Sequence, residues 1–305
     1  MLSSAGFGFL SIAIGAPRYI HQAEILSLSL RRNMPGIPLA IVTDDDRLAR
    51  YADILVAVDH AMPIAAAQKI LLDRYSPFER TLFIDCDCVV TRPFHSELAA
   101  IGQFPFSPAL ERITPIDGTD EYLDDVRSAL LKVGGTGYPK FNGGVYYFDK
   151  SPEAAAVFEM ARHYYCDYRA YGIRRFDRSG PGDETVIALA LANLNRLDLC
   201  GDAGRLMRTP TGLRGRLSID PLGGGCSFEG IDGVVHPAIC HFAGRYLLMP
   251  EYRLAEVSLR TGISVGQLGL RARWRATLAA YHAKVRRFSS YRIDGLKRRL
   301  RASRT

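Results

Sequence analysis

The chain has 305 residues, 48% of them hydrophobic and 23% charged, the proportions of a soluble globular protein with one large core or two modest ones. No apolar run reaches the roughly 18–20 residues that a membrane-spanning helix needs, and no internal repeat or low-complexity linker divides the chain. The net charge of +7 is unevenly placed: from Arg271 onward twelve Lys and Arg stand against one acid, Asp294, whereas the first 270 residues hold 27 basic and 31 acidic groups. The sequence therefore divides into a mildly acidic body, 1–270, and a basic tail, 271–305.

Six cysteines (86, 88, 166, 200, 226 and 240) include no CxxC pair, and they read as small buried side chains in a reducing cytoplasm.

In chain order, Phe7 to Ile14 predicts a strand. The apolar stretch around it is short and has no basic lead-in, which sets it apart from a secretory leader. Gly15-Ala16-Pro17 turns the chain into a helix marked by Ala23, Leu26, Leu28 and Leu30, which breaks before Pro35-Gly36. Pro38 to Val42 and Ile54 to Val58 predict two further strands, the first ending in Thr43-Asp44. Ala65 to Arg74 is helical. Alternation of strands and helices at this spacing calls for a largely parallel sheet covered on both faces. Ligands of such sheets sit outside the C-terminal strand ends.

The most informative stretch is Arg80 to Phe94. Leu82-Phe83-Ile84 is a buried strand that runs into Asp85-Cys86-Asp87, and Thr91-Arg92-Pro93 closes it. Strand alternation would put Asp85 and Asp87 on one face and Cys86 and Cys88 on the other. Two carboxylates leaving a core together need a positive partner, and hard oxygens suit Mg2+ or Mn2+.

Beyond it, Phe94 to Tyr138 reads as irregular apart from a helix at 121–132 ended by Gly134-Gly135. Asn142-Gly143-Gly144 leads into a β-rich run; by itself it reads as a plain turn, and beside the other strand ends as backbone held tight against a ligand. Ser151-Pro152 opens a helix, Gly182-Asp183-Glu184 precedes another, and Arg205 to Gly225 reads as a loop. His241, at the end of a short strand, reads either as a core histidine or as a nitrogen ligand beside the two aspartates. No phosphate-binding GxxxxGK[ST] loop, dinucleotide fingerprint or Ser/His/Asp triad is present.

Taken together, Ile14 to Ile20, Thr43-Asp44, Lys69-Ile70, Tyr75 to Arg80, Asp85-Cys86-Asp87, Phe141 to Val145, Asp183-Glu184 and His241-x-x-Gly244 stand in the order of a known group. The sequence resembles the GT-A-fold glycosyltransferases, closest to the glycogenin-like and lipopolysaccharide-galactosyltransferase members of family 8. The resemblance implies an α/β fold with a Rossmann-like, mostly parallel sheet. It implies Mn2+ or Mg2+ on Asp85, Asp87 and His241, holding the diphosphate of a nucleotide sugar, a UDP-sugar first among them. By the same resemblance Ala13, Ile14, Gly15, Thr43 and Asp44 hold base and ribose. Lys69, Cys86, Gly143, Gly144 and Arg245 complete the donor site, with Arg245 standing where the group usually has lysine. Asn142, Asp183 and Glu184 face the transferred sugar. Asp183 and Glu184 fit three roles equally here: base, hydroxyl binder or helix N-terminal charge.

The tail places Trp274, Leu278, Tyr281, Val285 and Phe288 on one helical stripe flanked by Arg271, Arg273, Arg275, Lys284, Arg286 and Arg287. Such a helix suits an anionic membrane surface, or equally docking on the body or dimerisation. Nucleic acid is not expected. The sequence thus predicts a metal-dependent glycosyltransferase acting on a glycan or lipid-linked acceptor, cytoplasmic and peripheral to the inner face of the membrane. Its rivals are a sugar-nucleotide nucleotidyltransferase and a non-catalytic sugar-nucleotide binder or membrane adaptor.

Overall fold

A computed structural model describes residues 6–64, 66–176, 180–231 and 233–285. In chain order its elements are β1 (Phe7–Ile12), α1 (Pro17–Asn33), β2 (Leu39–Val42), β3 (Ile54–Val56), α2 (Leu72–Tyr75) and β4 (Arg80–Ile84). Then come β5 (Cys88–Val90), α3 (His95–Ile101), β6 (Phe106–Thr114), α4 (Val126–Val133), β7 (Tyr138–Asp149), α5 (Pro152–Cys166) and α6 (Asp183–Asn193). The chain continues through β8 (Met207–Arg208), β9 (Arg214–Asp220), β10 (Gly225–Gly230), β11 (Gly233–Val235), β12 (Ile239–His241) and α7 (Pro250–Thr261). Residues 270–285 form a last helix, α8.

The central sheet has six strands in the order β3-β2-β1-β4-β7-β6. β1, β2, β3 and β4 pair in parallel, whereas β7 is antiparallel to both of its neighbours, so it alone runs against the rest. Alternate side chains feed two apolar layers. Leu10, Val42, Phe83, Tyr146 and Phe148 meet α4, α5 and α6 on one face. Phe9, Ile41, Leu82, Ile84, Val145 and Tyr147 meet α1 and α3 on the other. The mostly parallel α/β sheet read from the sequence is therefore present.

Several local readings change. Ala66–Leu71 is a 3-10 turn leading into α2, and Ala65 lies outside the described residues. The segment read as irregular contains α3 and β6. Pro108 obscured β6, but β6 is the sheet edge, where a residue without an N–H is tolerated. The Arg205–Gly225 segment read as a loop carries β8 and β9, and in β9 buried Leu217 and Ile219 alternate with exposed Arg216 and Ser218. Two small sheets follow from this region, β11-β10-β9 and β5-β12-β8.

Helix α8 packs through alanines: Ala276 and Ala280 are buried, while Trp274 is 67% and Tyr281 63% exposed. The aromatic stripe thus faces outward while the helix is docked. Phe288, Arg286 and Arg287 lie outside the described residues.

Candidate active site

β4 ends at Ile84, and Asp85-Cys86-Asp87 is a tight turn closed by the Cys88 N–H on the Asp85 carbonyl at 3.0 Å. This corrects the strand alternation expected for the two aspartates. The turn carries the chain from the central sheet (β4) into a small one (β5). Its antiparallel pairing puts His241, the last residue of β12, opposite Cys88. The Phe242 N–H donates to the Asp87 carbonyl at 3.0 Å, which fixes the junction. His241 Nε2 consequently lies 3.0 Å from Asp87 Oδ1 and 3.6 Å from Asp85 Oδ2.

The other ring nitrogen decides the tautomer. Asn142 Oδ1 accepts from the Gly144 N–H at 3.0 Å and lies 2.6 Å from His241 Nδ1. An amide oxygen only accepts, so Nδ1 carries the proton. Thr209 Oγ1, delivered by β8 beside β12, lies 3.2 Å from the same nitrogen. Nε2 then either donates to Asp87 as imidazolium or offers its lone pair beside two carboxylates. A ring oriented from behind by an amide oxygen is a common support for metal-ligating histidine.

The residues fit a hard divalent cation. Adjacent ligands at about 2.1 Å in an octahedron are about 3.0 Å apart, which matches the Asp87–His241 separation. Cys88 Sγ also lies within reach of Asp87 and His241. Burial pushes that thiol well above its ordinary value, however, and a protonated sulfur suits Mg2+ or Mn2+ poorly. By donor chemistry Asp85 is the better third ligand: its Oδ2 lies 3.6 Å from His241 Nε2, although the atoms that lie within 4.8 Å of one another are those of Asp87, Cys88 and His241.

A lysine and two more carboxylates complete the network. Lys69 Nζ donates to Asp85 Oδ2 at 2.6 Å and to the Gly143 carbonyl at 2.9 Å, and lies 3.5 Å from Asp183 Oδ2. The Tyr146 hydroxyl donates to Asp183 Oδ2 at 2.7 Å, and the Gly143 N–H to Glu184 Oε1 at 2.8 Å. Burial works against a charged Lys69, but Asp183 and Asp85 outweigh it and raise the ammonium. Burial lifts the Asp85 carboxyl above its usual range, with Lys69 opposing and Asp87 adding. Burial would lift Asp87 too, yet His241 outweighs it and holds that carboxyl low. For Glu184, burial and the Asp183 charge push the carboxyl up to about 7.

Backbone made available by β7 builds the floor. β6 pairs Pro108 with Tyr146 and then Leu110 with Phe141, so the β7 residues 142–145 have no ladder partner on that side. Their amide groups serve Glu184, Asn142 and Lys69 instead. Glycine is required by contact: a Cβ on Gly144 would sit 2.6 Å from His241 Nδ1, and one on Gly143 2.5 Å from Asp183 Oδ2.

The structure therefore joins Lys69, Asp85, Asp87, Asn142, Gly143, Gly144, Asp183, Glu184 and His241. Ala13, Ile14 and Gly15 follow β1, and Thr43 and Asp44 follow β2, along the same strand-end edge. Two expected donor residues point elsewhere. The Cys86 thiol sits in the core, 3.6 Å from Gln22 Oε1. Arg245 stacks on Tyr246, 5.2 Å from the ring centroid. Tyr146 and Thr209 were missed. Two-residue spacing from Gly144 points to Tyr146, but no sequence signal marks Thr209.

Comparison with known proteins places this architecture. No protein-family model and no curated protein matches the sequence. Among solved structures, an active-site mutant of LgtC superposes with a TM-score of 0.50, covering 78% of this chain and 87% of that one at 16% identity. The fold is GT-A. The galactosyltransferase LgtC in complex with donor and acceptor sugar analogues aligns over 67% of this chain and 76% of its own, with a TM-score of 0.47 and 15% identity. Glycosyltransferase GlyE of Streptococcus pneumoniae TIGR4 aligns over 63% and 44%, with 0.41 and 13%. In the GT-A sheet described here, the Asp85–Asp87 turn sits at the strand-end edge where α/β sheets bind ligands.

Proposed function

We propose that the chain is a metal-dependent glycosyltransferase that moves a sugar from a nucleotide-diphosphate donor, a UDP-sugar first, to a glycan or lipid-linked acceptor. The observation that carries this reading is the placement of an Asp87 and an Asp85 carboxylate oxygen 3.0 and 3.6 Å from Nε2 of the Asn142-oriented His241 on a GT-A sheet. These three side chains would hold Mn2+ or Mg2+. When bound, the cation supplies Lewis-acid stabilisation to a departing nucleoside diphosphate. Lys69 brings a fixed positive charge beside Asp85. Asp183 and Glu184 present carboxyl oxygens at the α6 N-terminus for sugar hydroxyls, and Asn142 acts as a positioning residue for His241.

A test is incubation with a panel of nucleotide sugars plus Mn2+, with and without EDTA. Metal-dependent release of nucleoside diphosphate is expected, lost in Asp87→Asn while circular dichroism stays unchanged. Full activity of Asp87→Asn would remove the metal reading. Pyrophosphate exchange would instead favour nucleotidyl transfer, and silence with acceptors present would favour a non-catalytic binder.

The reading includes peripheral attachment to an anionic cytoplasmic membrane face through α8. No helix among the described residues is long and apolar enough to cross a membrane. Outward-facing Leu270, Trp274 and Tyr281, with Arg271 and Arg275 exposed on the same helix, suit an interfacial position.

A further inference from the structure

A groove of about 580 Å³ opens between the turn that follows His241 and helix α8. Leu213, Tyr246, Leu248 and Met249 form one side of it, and Ala280 and Tyr281 the other. Two cations, Arg245 and Lys284, stand in the same lining. Among the described residues neither is paired with a carboxylate, and the Arg245 guanidinium stacks on the Tyr246 ring and donates to its hydroxyl at 3.2 Å. The groove is of the size that takes a small amphiphile.

We propose that this groove is an acceptor subsite that holds the hydrocarbon chain of a lipid phosphate, with Arg245 and Lys284 on the phosphate. The inference rests on the transfer reading above and gives its acceptor a chemical class. Two features select the occupant together. A free phosphate leaves the apolar walls unused, and a neutral apolar chain or helix leaves two cations without a counter-charge. Chain connection supports the same choice: Arg245 lies in the turn that leaves β12 four residues past His241, so the groove and the candidate site share one connection. The other wall belongs to the helix whose aromatic stripe faces outward, the direction from which a lipid would enter.

The test uses the full-length protein and alkyl phosphates below their micelle concentration, followed by calorimetry. From octyl to decyl to dodecyl phosphate, each added methylene is expected to tighten binding by about fourfold. Inorganic phosphate and decanol should each bind at least ~10-fold more weakly than decyl phosphate. Leu213→Glu should weaken decyl phosphate by ~10-fold or more, with its fold checked by circular dichroism. Lys284→Glu, on an exposed position, should weaken decyl phosphate but not decyl maltoside. Binding without chain-length dependence, or wild-type affinity in both variants, overturns the proposal. So does binding seen only with anionic phospholipid vesicles and not with monomeric decyl phosphate, which would assign the face to membrane docking. Donor hydrolysis measured in parallel separates the two readings. Binding without hydrolysis removes the transfer reading and keeps the groove, whereas hydrolysis without binding removes the groove alone.

Discussion

Gly144→Ala is the sharpest probe of the centre. The added Cβ would stand 2.6 Å from His241 Nδ1 and 3.0 Å from Cγ and Cε1. Ordinary contact begins near 3.4 Å, so strand or ring must give by about 0.8 Å. The strand is pinned: the Gly144 carbonyl accepts from the Asp85 N–H at 2.9 Å, and its N–H is bound to Asn142. The ring must therefore move, lengthening its 2.6 Å contact to Asn142 and turning Nε2 away from Asp87. Overpacking of this kind costs about 1–3 kcal/mol of stability. A displacement near 1 Å at a reacting centre costs about 100-fold in rate, and loss of a ligand's orienting partner about 10–100-fold in metal affinity. Calorimetric titration with Mn2+ and metal-dependent donor hydrolysis read both effects. Gly201→Ala, where a Cβ meets nothing within 4 Å, is the control. Wild-type Mn2+ affinity and turnover in Gly144→Ala would refute the placement of His241.

Two further outcomes are expected. The Glu184 carboxyl is raised from 4.5 to about 7, so the folded state keeps a proton that the unfolded chain has released between those values. Stability should fall as pH rises through that window. Glu184→Gln should remove up to about 3 kcal/mol of that loss at pH 8 and change little at pH 4.5. Urea unfolding checks this, and parallel pH profiles for the two proteins would contradict the burial argument. Trp274 is the single tryptophan and is 67% exposed, so its emission should shift to the blue on anionic vesicles and return at high salt. An emission spectrum insensitive to vesicles would return α8 to a structural role.

The sequence disclosed what periodicity and punctuation encode. Leu82 to Ile84 driving into paired aspartates, and the glycines after Asn142, pointed to residues that the fold brings together. Less visible was how the aspartates meet, because a turn obeys hydrogen-bond closure rather than alternation. Strand β6 hid behind Pro108, whose tolerance depends on an edge position known only once the sheet is assembled. The Asn142–His241 bond joins residues 99 positions apart, and Thr209 enters through pairing of two short strands. Such partnerships are products of packing and have no local signature. For α8, the aromatic stripe was legible, but the quieter alanine face decides which side docks.

The lone reversed strand sets where this architecture can tolerate length change. Gly15 and Thr43 lie in connections after β1 and β2, where an inserted residue can bulge outward. Beyond the Asn142–Gly144 floor, Val145 to Asp149 of β7 pair with β4 from Ile84 back to Arg80. One residue inserted or deleted within that paired segment shifts the remainder by a register step and exchanges the two faces. Tyr146 and Phe148 would trade sides with Val145 and Tyr147, and both apolar layers would fail together. Length change therefore has room at the first two strand ends and in the irregular stretch before Val145, whereas Val145 to Asp149 can change only by substitution.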